Sequence, residues 1–419
     1  MRLCVVTFKE CWRDADGGWR SYGGFPAQMR ALASLFAETV LVVTRGPARA
    51  GGMPLPARAR VVPLRLPAGV NARRKLSVLA GLPYYLAHIR REVAAADVVH
   101  APVPGDLPFL GLVLAQALGK RVFCLYNGSW APNAETTVMN RVTRGWMRAT
   151  AGPRSLMLAV GDAPRPPAPA VDWLFATALT AAELDAVRPD LARGLGTPPR
   201  LAYAGRLSVE KGVPVLLEAF ARARARLGAD GPAAPTLDLL GDGPERPALE
   251  ALAARLGVAG AVRFAGQLGR AELSRALHAA DVCVHASHTE GYCKAWLDAM
   301  AHGLPVLTTA VGAAAGVVGA DGAAADGPVR DGAIRDGAIR DGAIRDGARG
   351  WLVPPARPDL FADALVRVLA GPTDWPALRA RARAFAEART LEAWAGEIGR
   401  RCAERWAGRV DASLGLVCP

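Results

Sequence analysis

The stretch HASHTEGYCKAWLDAMAHGLPVLTT, residues 285–309, decides how the rest of this chain is read. It closes an apolar run (DVCVHAS) that reads as a buried strand. It then crosses a short polar loop, enters a segment with helical apolar spacing, and leaves through Gly303 into a second apolar run. Glu290 ends the strand and loop, and Gly291 and the next residues are expected to open a helix that carries Lys294 and Asp298. The amides exposed at a helix start form an anion site without a special side chain. Glu290 and Asp298 are eight positions apart, about two turns if the helix begins near Glu290, so one carboxylate sits at the mouth and the other deeper on a similar face. Carboxylates accept hydrogen bonds from vicinal hydroxyls, which suits a sugar or a ribose. The plain alternatives are a helix-surface charge for Asp298 and a capping acid for Glu290.

Working outward, strand and helix patterns alternate in both directions. Upstream lie LAYAGRL, VPVLLEAFARARARLG, TLDLLGDG, RPALEALAARLG, VRFAGQL and RAELSRALHAA, in strand–helix units of about 25–35 residues. The first half shows the same rhythm: a strand at Leu3–Phe8, a loop ending in Gly23-Gly24, a helix in FPAQMRALASLF, a strand at 39–45, a strand at 97–101, a buried helix at 107–118 and a strand in KRVFCLYNG. The strands are near-continuous in apolar residues, as in parallel sheets covered on both faces. Proline-rich APRPPAPA (163–170) reads as a loop, and GLGTPPR (194–200) separates the halves. The expectation is two doubly wound α/β domains facing across a cleft, residues 1–195 and 196–390, with a last helix in 391–419 crossing back to the first domain. In such sheets ligands bind at the carboxyl ends of the strands.

Three more loops fall at those strand ends. AGRLSVEKG sets Arg206 and Lys211 after Gly205; a planar fork and a point charge suit a multiply charged phosphate, though solvated loop charges are the simpler reading. LLGDGPERPALE puts Gly241 and Gly243 in a turn where backbone can approach a ligand closely. VRFAGQLGRAEL offers Gly266 and Gln267, whose loop could hold a flat base by backbone hydrogen bonds or simply turn.

The ensemble GR-x4-KG, GxGP, F-x-G and Glu290-Gly291 followed by LDAMAHGLPV, in this order, resembles the retaining glycosyltransferases of family 4 (glycosyl transferases group 1), which have the GT-B fold. The match runs from about Leu201 to Val311 and resumes near Asp346; in the first half it is limited to the opening strand, Gly23-Gly24 and ADVVHA. The resemblance implies a retaining, hexosyltransferase-type enzyme whose donor is a nucleotide-diphosphate sugar, with no other cofactor. On this reading Arg206 and Lys211 neutralise the leaving diphosphate and Glu290 contacts the transferred sugar. The amides of Gly291, Tyr292 and Cys293 bind phosphate, Lys294 joins the donor site, Asp298 holds the ribose, and Gly23 and Gly24 let the first domain approach. Attack from the front face, assisted by the leaving phosphate, needs no protein nucleophile, in keeping with the lack of an obvious carboxylate pair. The chain departs from the family at Asp298, where Glu is usual, and at Asn127-Gly128, where a His is frequent; Asn127 can still hydrogen-bond a sugar on the acceptor side. It departs again at VGAAAGVVGAD after PVLTT. The other readings are a GT-B nucleotide-sugar epimerase and a catalytically silent GT-B protein that only binds nucleotide or partners.

Composition limits the partners. Residues 1–195 carry 24 Lys and Arg against 13 Asp and Glu, whereas the remainder carries 27 against 25. The basic half points to an anionic surface or acceptor, or to an arginine-rich composition without a partner. The arginines are dispersed rather than clustered, so no nucleic acid is expected. Seven cysteines without a CxxC pair, and six histidines without HExxH, predict free thiols in a reducing compartment and no protein-bound metal. The apolar run at the N-terminus is too short and wrongly flanked for export, and no stretch is apolar enough to span a bilayer. A cytoplasmic location is expected, with peripheral contact at the inner face of the membrane as an option. NARRKLSVLAGLPYYLAHIRR (71–91) has the composition of an interfacial helix, or of a buried helix with snorkelling ends that Pro83 interrupts. The acceptor is then a glycan, a lipid-linked molecule or a small molecule. The final segment, 391–406, has amphipathic helical spacing.

A perfect repeat, RDGAIRDGAIRDGAIRDGAR (330–349), marks a low-complexity insertion at about 319–345 in a connection that is normally short. Its units are too few for a solenoid and pair each Asp with an Arg, unlike a calcium loop. Only the last copy, DGARGWLVPP (346–355), reads as part of the fold.

Overall fold

The computed structural model describes the chain except residues 50, 70, 133–135, 164, 229–230, 232–233, 320–343 and 407–419. Most of the insertion, with all but the last copy of the repeat, thus lies outside the described residues.

Two Rossmann-like α/β domains are built around parallel sheets. In the first, β1 (Arg2–Arg13), β3 (Glu38–Arg45), β5 (Ala59–Arg65), β6 (Val98–Val103), β7 (Arg121–Tyr126), β8 (Ser155–Val160) and β9 (Val171–Leu174) pair in the order β5-β3-β1-β6-β7-β8-β9, all parallel. The core strands are buried almost without interruption, as their apolar runs require once helices cover both faces. α1 (Phe25–Ala33) packs against the C-terminal helix on one face, and α3 (Leu82–Ala94), α4 (Asp106–Ala117) and α5 (Val138–Thr150) supply the buried cluster of the other.

The second sheet has the order β12-β11-β10-β13-β14-β16-β15. Its strands are β10 (Arg200–Ala204), β11 (Thr236–Leu240), β12 (Val262–Gly266), β13 (Val282–His285), β14 (Val306–Thr309), β15 (Arg345–Gly347) and β16 (Gly350–Val353). Among the described residues, its β15–β16 pair is the one antiparallel strand pair. The last repeat copy therefore runs into an ordinary strand pair of this sheet. The crossover helices are α7 (Val213–Arg226), α8 (Arg246–Arg255), α9 (Arg270–Ala279), α10 (Lys294–Ala301) and α11 (Ala314–Val318), followed by α12 (Pro358–Ala370), α13 (Trp375–Glu387) and α14 (Leu391–Trp406). In both sheets the strand order reverses beside the first strand of the unit, between β1 and β6 and between β10 and β13, which is where this topology opens a crevice.

Asp281 ties the connecting segment to the second sheet. It accepts hydrogen bonds from the amides of Gly196 (3.2 Å) and Arg200 (2.8 Å) and ion-pairs with Arg193 and the buried Arg379. A short helix, α6 (Ala181–Ala186), lies in the connecting segment; its Ala181 amide donates to Glu392 and the Leu391 amide donates to the Leu179 carbonyl. α14 then packs on α1 and β8 of the first domain.

Three local expectations change. The first strand does not stop at Phe8: β1 continues to Arg13 past an irregularity between Val6 and Glu10, and its end pairs with β2 (Trp19–Ser21), which in turn pairs with β4 (Met53–Pro54). The segment expected to be loop before Gly23 is thus partly sheet. The 71–91 stretch is two helices, α2 (Asn71–Ala80) and α3, because Gly81 and Pro83 start the second one afresh. α3 is the buried half, whereas α2 leaves Leu76 and Leu79 65% and 63% exposed. Finally, the helix of the opening motif starts at Lys294, with extended Cys293 as its cap, not near Glu290. The Gly291 carbonyl accepts from the Ala313 amide (3.0 Å) in the loop after β14, which holds residues 290–293 out of the helix. Glu290 and Asp298 therefore do not share a helix face.

Among the described residues no helix is long and apolar enough to cross a membrane, and the six described cysteines are free and buried. Fully buried Trp394 on α14 sits in the cluster that spans both domains. Trp394→Ala is expected to lower unfolding free energy by roughly 3–5 kcal/mol, read as a drop in the denaturant midpoint.

Candidate active site

The crevice of the second domain is shaped by backbone before any side chain enters it. Gly212, at φ +60°, caps the short turn Val209–Lys211 and packs so closely on the loop after β13 that a Cβ there would lie 2.0 Å from the Ala286 carbonyl oxygen. The His288 amide donates to the Glu210 carbonyl (3.0 Å) alongside, so the loops after β10 and β13 are joined. Gly241, at φ +154°, makes the same kind of approach to the other neighbour: its Cβ would lie 1.8 Å from the Gly205 carbonyl oxygen. Gly243 packs likewise on the Leu207 carbonyl. Gly205, Gly241 and Gly243 thus serve chain-to-chain nesting of the loops that line the crevice.

The joined loops bring Lys211 Nζ to 2.5 Å from Glu290 Oε2. Burial opposes the Lys211 charge, but the Glu290 carboxylate outweighs it and holds the ammonium above its ordinary range. Arg206 is exposed at the crevice, its carbonyl held by the Tyr203 hydroxyl (2.7 Å). Tyr292 and Cys293 are buried, and burial pushes the Cys293 thiol up to about 12, so it is no nucleophile near neutral pH. His285 beneath them is pushed down to about 3 by burial and then by the charge of Lys211; it is a neutral floor between Tyr203 and Trp296.

The first domain supplies the opposite wall. Gly24 opens α1, and a Cβ on it would lie 3.1 Å from Lys294 Nζ. Gly291 faces Gly128, with the Gly128 carbonyl carbon 3.2 Å from where its Cβ would be, so Asn127-Gly128 and Glu290-Gly291 form opposing lips. Gly23, at φ +72°, precedes this contact with open space around it. Asn127 Nδ2 donates to the Leu125 carbonyl at 3.3 Å.

Sequence reasoning missed Lys9. It stands at the irregular part of β1, it feels the charge of Arg206, and Lys294 feels its own. Burial, then Lys9, push the Lys294 ammonium down to about 8. The available signal was a lone cation directly after the apolar run Leu3–Phe8, at the carboxyl end of the first parallel strand. Lys9 on β1, Arg206 and Lys211 in the loop after β10, and Lys294 at the start of α10 thus gather four cations from three segments around one crevice, with Glu290 as the carboxylate among them.

Asp298 is not a surface charge. It is 14% exposed, and its Oδ1 accepts from Arg270 Nη1 at 3.0 Å. Arg270 in turn donates through Nε to Glu183 at 2.8 Å. Burial raises the Asp298 carboxyl above its ordinary range despite the guanidinium beside it. Gly266, at φ +71°, turns the chain toward exposed Gln267 and the start of α9. Among the described residues no three His, Cys, Asp or Glu side chains gather as a metal site.

Residues 198–335 match the model of a family described as glycosyl transferases group 1. A glycogen synthase of Mycobacterium tuberculosis is 37% identical over 131 residues, 31% of this chain and 30% of that protein. A D-inositol 3-phosphate glycosyltransferase of Streptomyces coelicolor is 36% identical over 118 residues, 26% and 25% of the two chains. The chain thus spans less than a third of the length of the curated relatives it matches. Solved structures are similar over nearly the whole chain. Sucrose-phosphate synthase from Thermosynechococcus elongatus superposes with a TM-score of 0.66 at 19% identity, covering 97% of this chain and 100% of that one. Anabaena HepE in complex with UDP and glucose gives 0.63 at 15% identity, covering 96% and 100%. At these identities the likeness establishes fold. Residues 198–335 accordingly match the glycosyl transferases group 1 model, within a chain that has the two-domain GT-B fold.

Proposed function

We propose that the protein is a glycosyltransferase that moves a sugar from a nucleotide-diphosphate donor to an acceptor with retention of anomeric configuration. The observation that carries this reading is the convergence of Lys9, Arg206, Lys211 and Lys294 on the crevice beside Glu290. A diphosphate leaving group gains negative charge as the glycosidic bond breaks. Cations already held in a partly desolvated site stabilise that charge without reorganising. Glu290 lies within hydrogen-bond reach of Lys211 and is placed to take hydroxyls of the sugar next to the phosphate. Its pairing with Lys211 leaves it poorly suited to act as a nucleophile, and Asp298 is engaged by Arg270. Retention by front-face attack, with the leaving phosphate taking the acceptor proton, fits this arrangement. The UDP and glucose seen with HepE make UDP-sugars the first donors to try.

The acceptor proposed is lipid-linked and presented at an anionic membrane. Arg74 on α2 ion-pairs with Asp106 at the start of α4 (3.6 Å), next to Gly105, whose free side is filled by Phe8 at the end of the apolar run of β1. α2 therefore stands beside the first-domain end of the crevice, with Arg73, Lys75, Leu76 and Leu79 exposed. α5 also exposes Val138, Val142 and Trp146, at helical spacing of four, with Arg141 and Arg148 beside them. Apolar residues framed by cations suit the headgroup boundary of an anionic bilayer.

Titration calorimetry with UDP, GDP and ADP should show at least one to bind, and absence of all three sinks the donor reading. Incubating donor without acceptor separates an epimerase, which would convert the free nucleotide sugar. Lys211→Met should lower kcat roughly 100-fold or more. Adding Glu290→Gln to it should recover thermal stability without recovering turnover. Lys294 supplies a pH test: it is charged below about 8, and a bound diphosphate favours the charged form. Nucleotide affinity should therefore fall as pH rises through that value, with proton uptake on binding that Lys294→Met abolishes. Liposomes containing phosphatidylglycerol should sediment the protein at low salt, and Leu76→Asp with Leu79→Asp should release it.

A further inference from the structure

Three charged groups far apart in sequence form one chain across α6, α9 and α10. Arg270 is the first residue of α9, directly after the loop Gly266–Gly269. Its guanidinium reaches Asp298 on α10 with Nη1 (3.0 Å) and Glu183 on α6 with Nε (2.8 Å). Glu183 is itself fixed: its Oε2 accepts from the Thr180 amide (2.9 Å) and hydroxyl (3.0 Å) as a capping box. The segment that carries it is anchored through Arg383, which donates to the Leu184 carbonyl, and through Glu392. Arg270 is therefore held from behind by the connection between the domains and points forward at Asp298.

Asp298 has one oxygen occupied by Arg270 and no hydrogen-bond partner for the other among the described residues. It lies one helical turn beyond Lys294, the cation that faces Gly24 of the first domain across the crevice. A carboxylate so placed can accept from a hydroxyl one sugar unit away from a phosphate. An aspartate is short and has two oxygens that interchange by rotation; a bond to a fixed guanidinium removes that freedom and presents the second oxygen in a single direction.

We infer that Arg270 is a positioning residue for the nucleoside: braced by Glu183, it orients Asp298 to accept a hydroxyl of the donor ribose and so gives the site its preference for ribonucleotides. This rests on the reading of the crevice as a nucleotide-diphosphate site. Because Glu183 belongs to the connecting segment, the same bond links ribose recognition to the relative setting of the two domains.

The test compares the tightest binder among UDP, GDP and ADP with its 2′-deoxy and 3′-deoxy forms, by calorimetry, on the full chain. Wild type is expected to prefer the ribonucleotide over at least one deoxy form by about tenfold or more, the effect of one hydrogen bond to a charged acceptor. Arg270→Gln should bring that ratio close to one while the deoxy form still binds about as well as to wild type. Arg270→Lys should leave part of the preference, and Glu183→Gln should reduce it without touching Asp298. Thermal melts of each variant report folding, and a general structural loss would weaken ribonucleotide and deoxynucleotide alike. Equal loss for both forms, an unchanged ratio in Arg270→Gln, or no ribose preference in wild type overturns the inference. Failure of wild type to bind any nucleoside diphosphate overturns the donor reading and this inference with it.

Discussion

The contact of Gly212 with the Ala286 carbonyl is the constraint on which the crevice depends. A side chain at 212 would collide with backbone, and the φ of +60° is one that residues with a Cβ seldom adopt. Because the chain can turn there, the loop after β10 lies against the loop after β13, and the Glu210–His288 backbone bond holds the two together. Lys211 and Glu290, 79 positions apart, are then within 2.5 Å. The neighbouring loop nests against the same segment through Gly241 and Gly243, so one loop is gripped from both sides of the switch point. Rigidity of this kind is what a site for a leaving anion needs, since donors already in place need not be reorganised as charge develops.

Electrostatics then set how the site behaves without ligand. Lys211 keeps its charge through Glu290, whereas Lys294 lies half-buried near Lys9 and close to losing its own. A dianionic ligand would relieve that repulsion. The basic residues of the first half include Lys9 at the crevice and the exposed cations of α2 and α5. Asp298 and Arg270 make a contrasting pair, a carboxyl that burial holds above its ordinary range beside a guanidinium that Glu183 keeps in place.

Much of the fold was legible because it is written in local pattern. The apolar runs of β10, β11, β12 and β13 and the periodic helices between them need only their own sequence to be recognised. Boundaries were less legible where distant partners decide them. The start of α10 depends on Ala313, 22 positions after Gly291, which draws the Gly291 carbonyl away from helical bonding. β1 extends past Phe8 because β2 is there to pair with its end. The 71–91 segment carries its break in Gly81 and Pro83, yet which half is buried depends on α4 and the sheet beneath.

By itself the sequence determined which charged residues follow the parallel strands: Arg206, Lys211 and Glu290 stand in the loops after them, and Lys294 and Asp298 on the helix that comes next, since the spacing of apolar runs leaves polar residues there. The tertiary structure alone decided how those charges pair. Lys9 joins the set only because β1 of the first domain brings it near Lys294 of the second, and Asp298 turns inward only because Arg270 and Glu183, 28 and 115 positions away from it, meet at its side. Ion pairing depends on distance in space, and the connections that set those distances are loops whose course is fixed by packing between elements far apart in the chain.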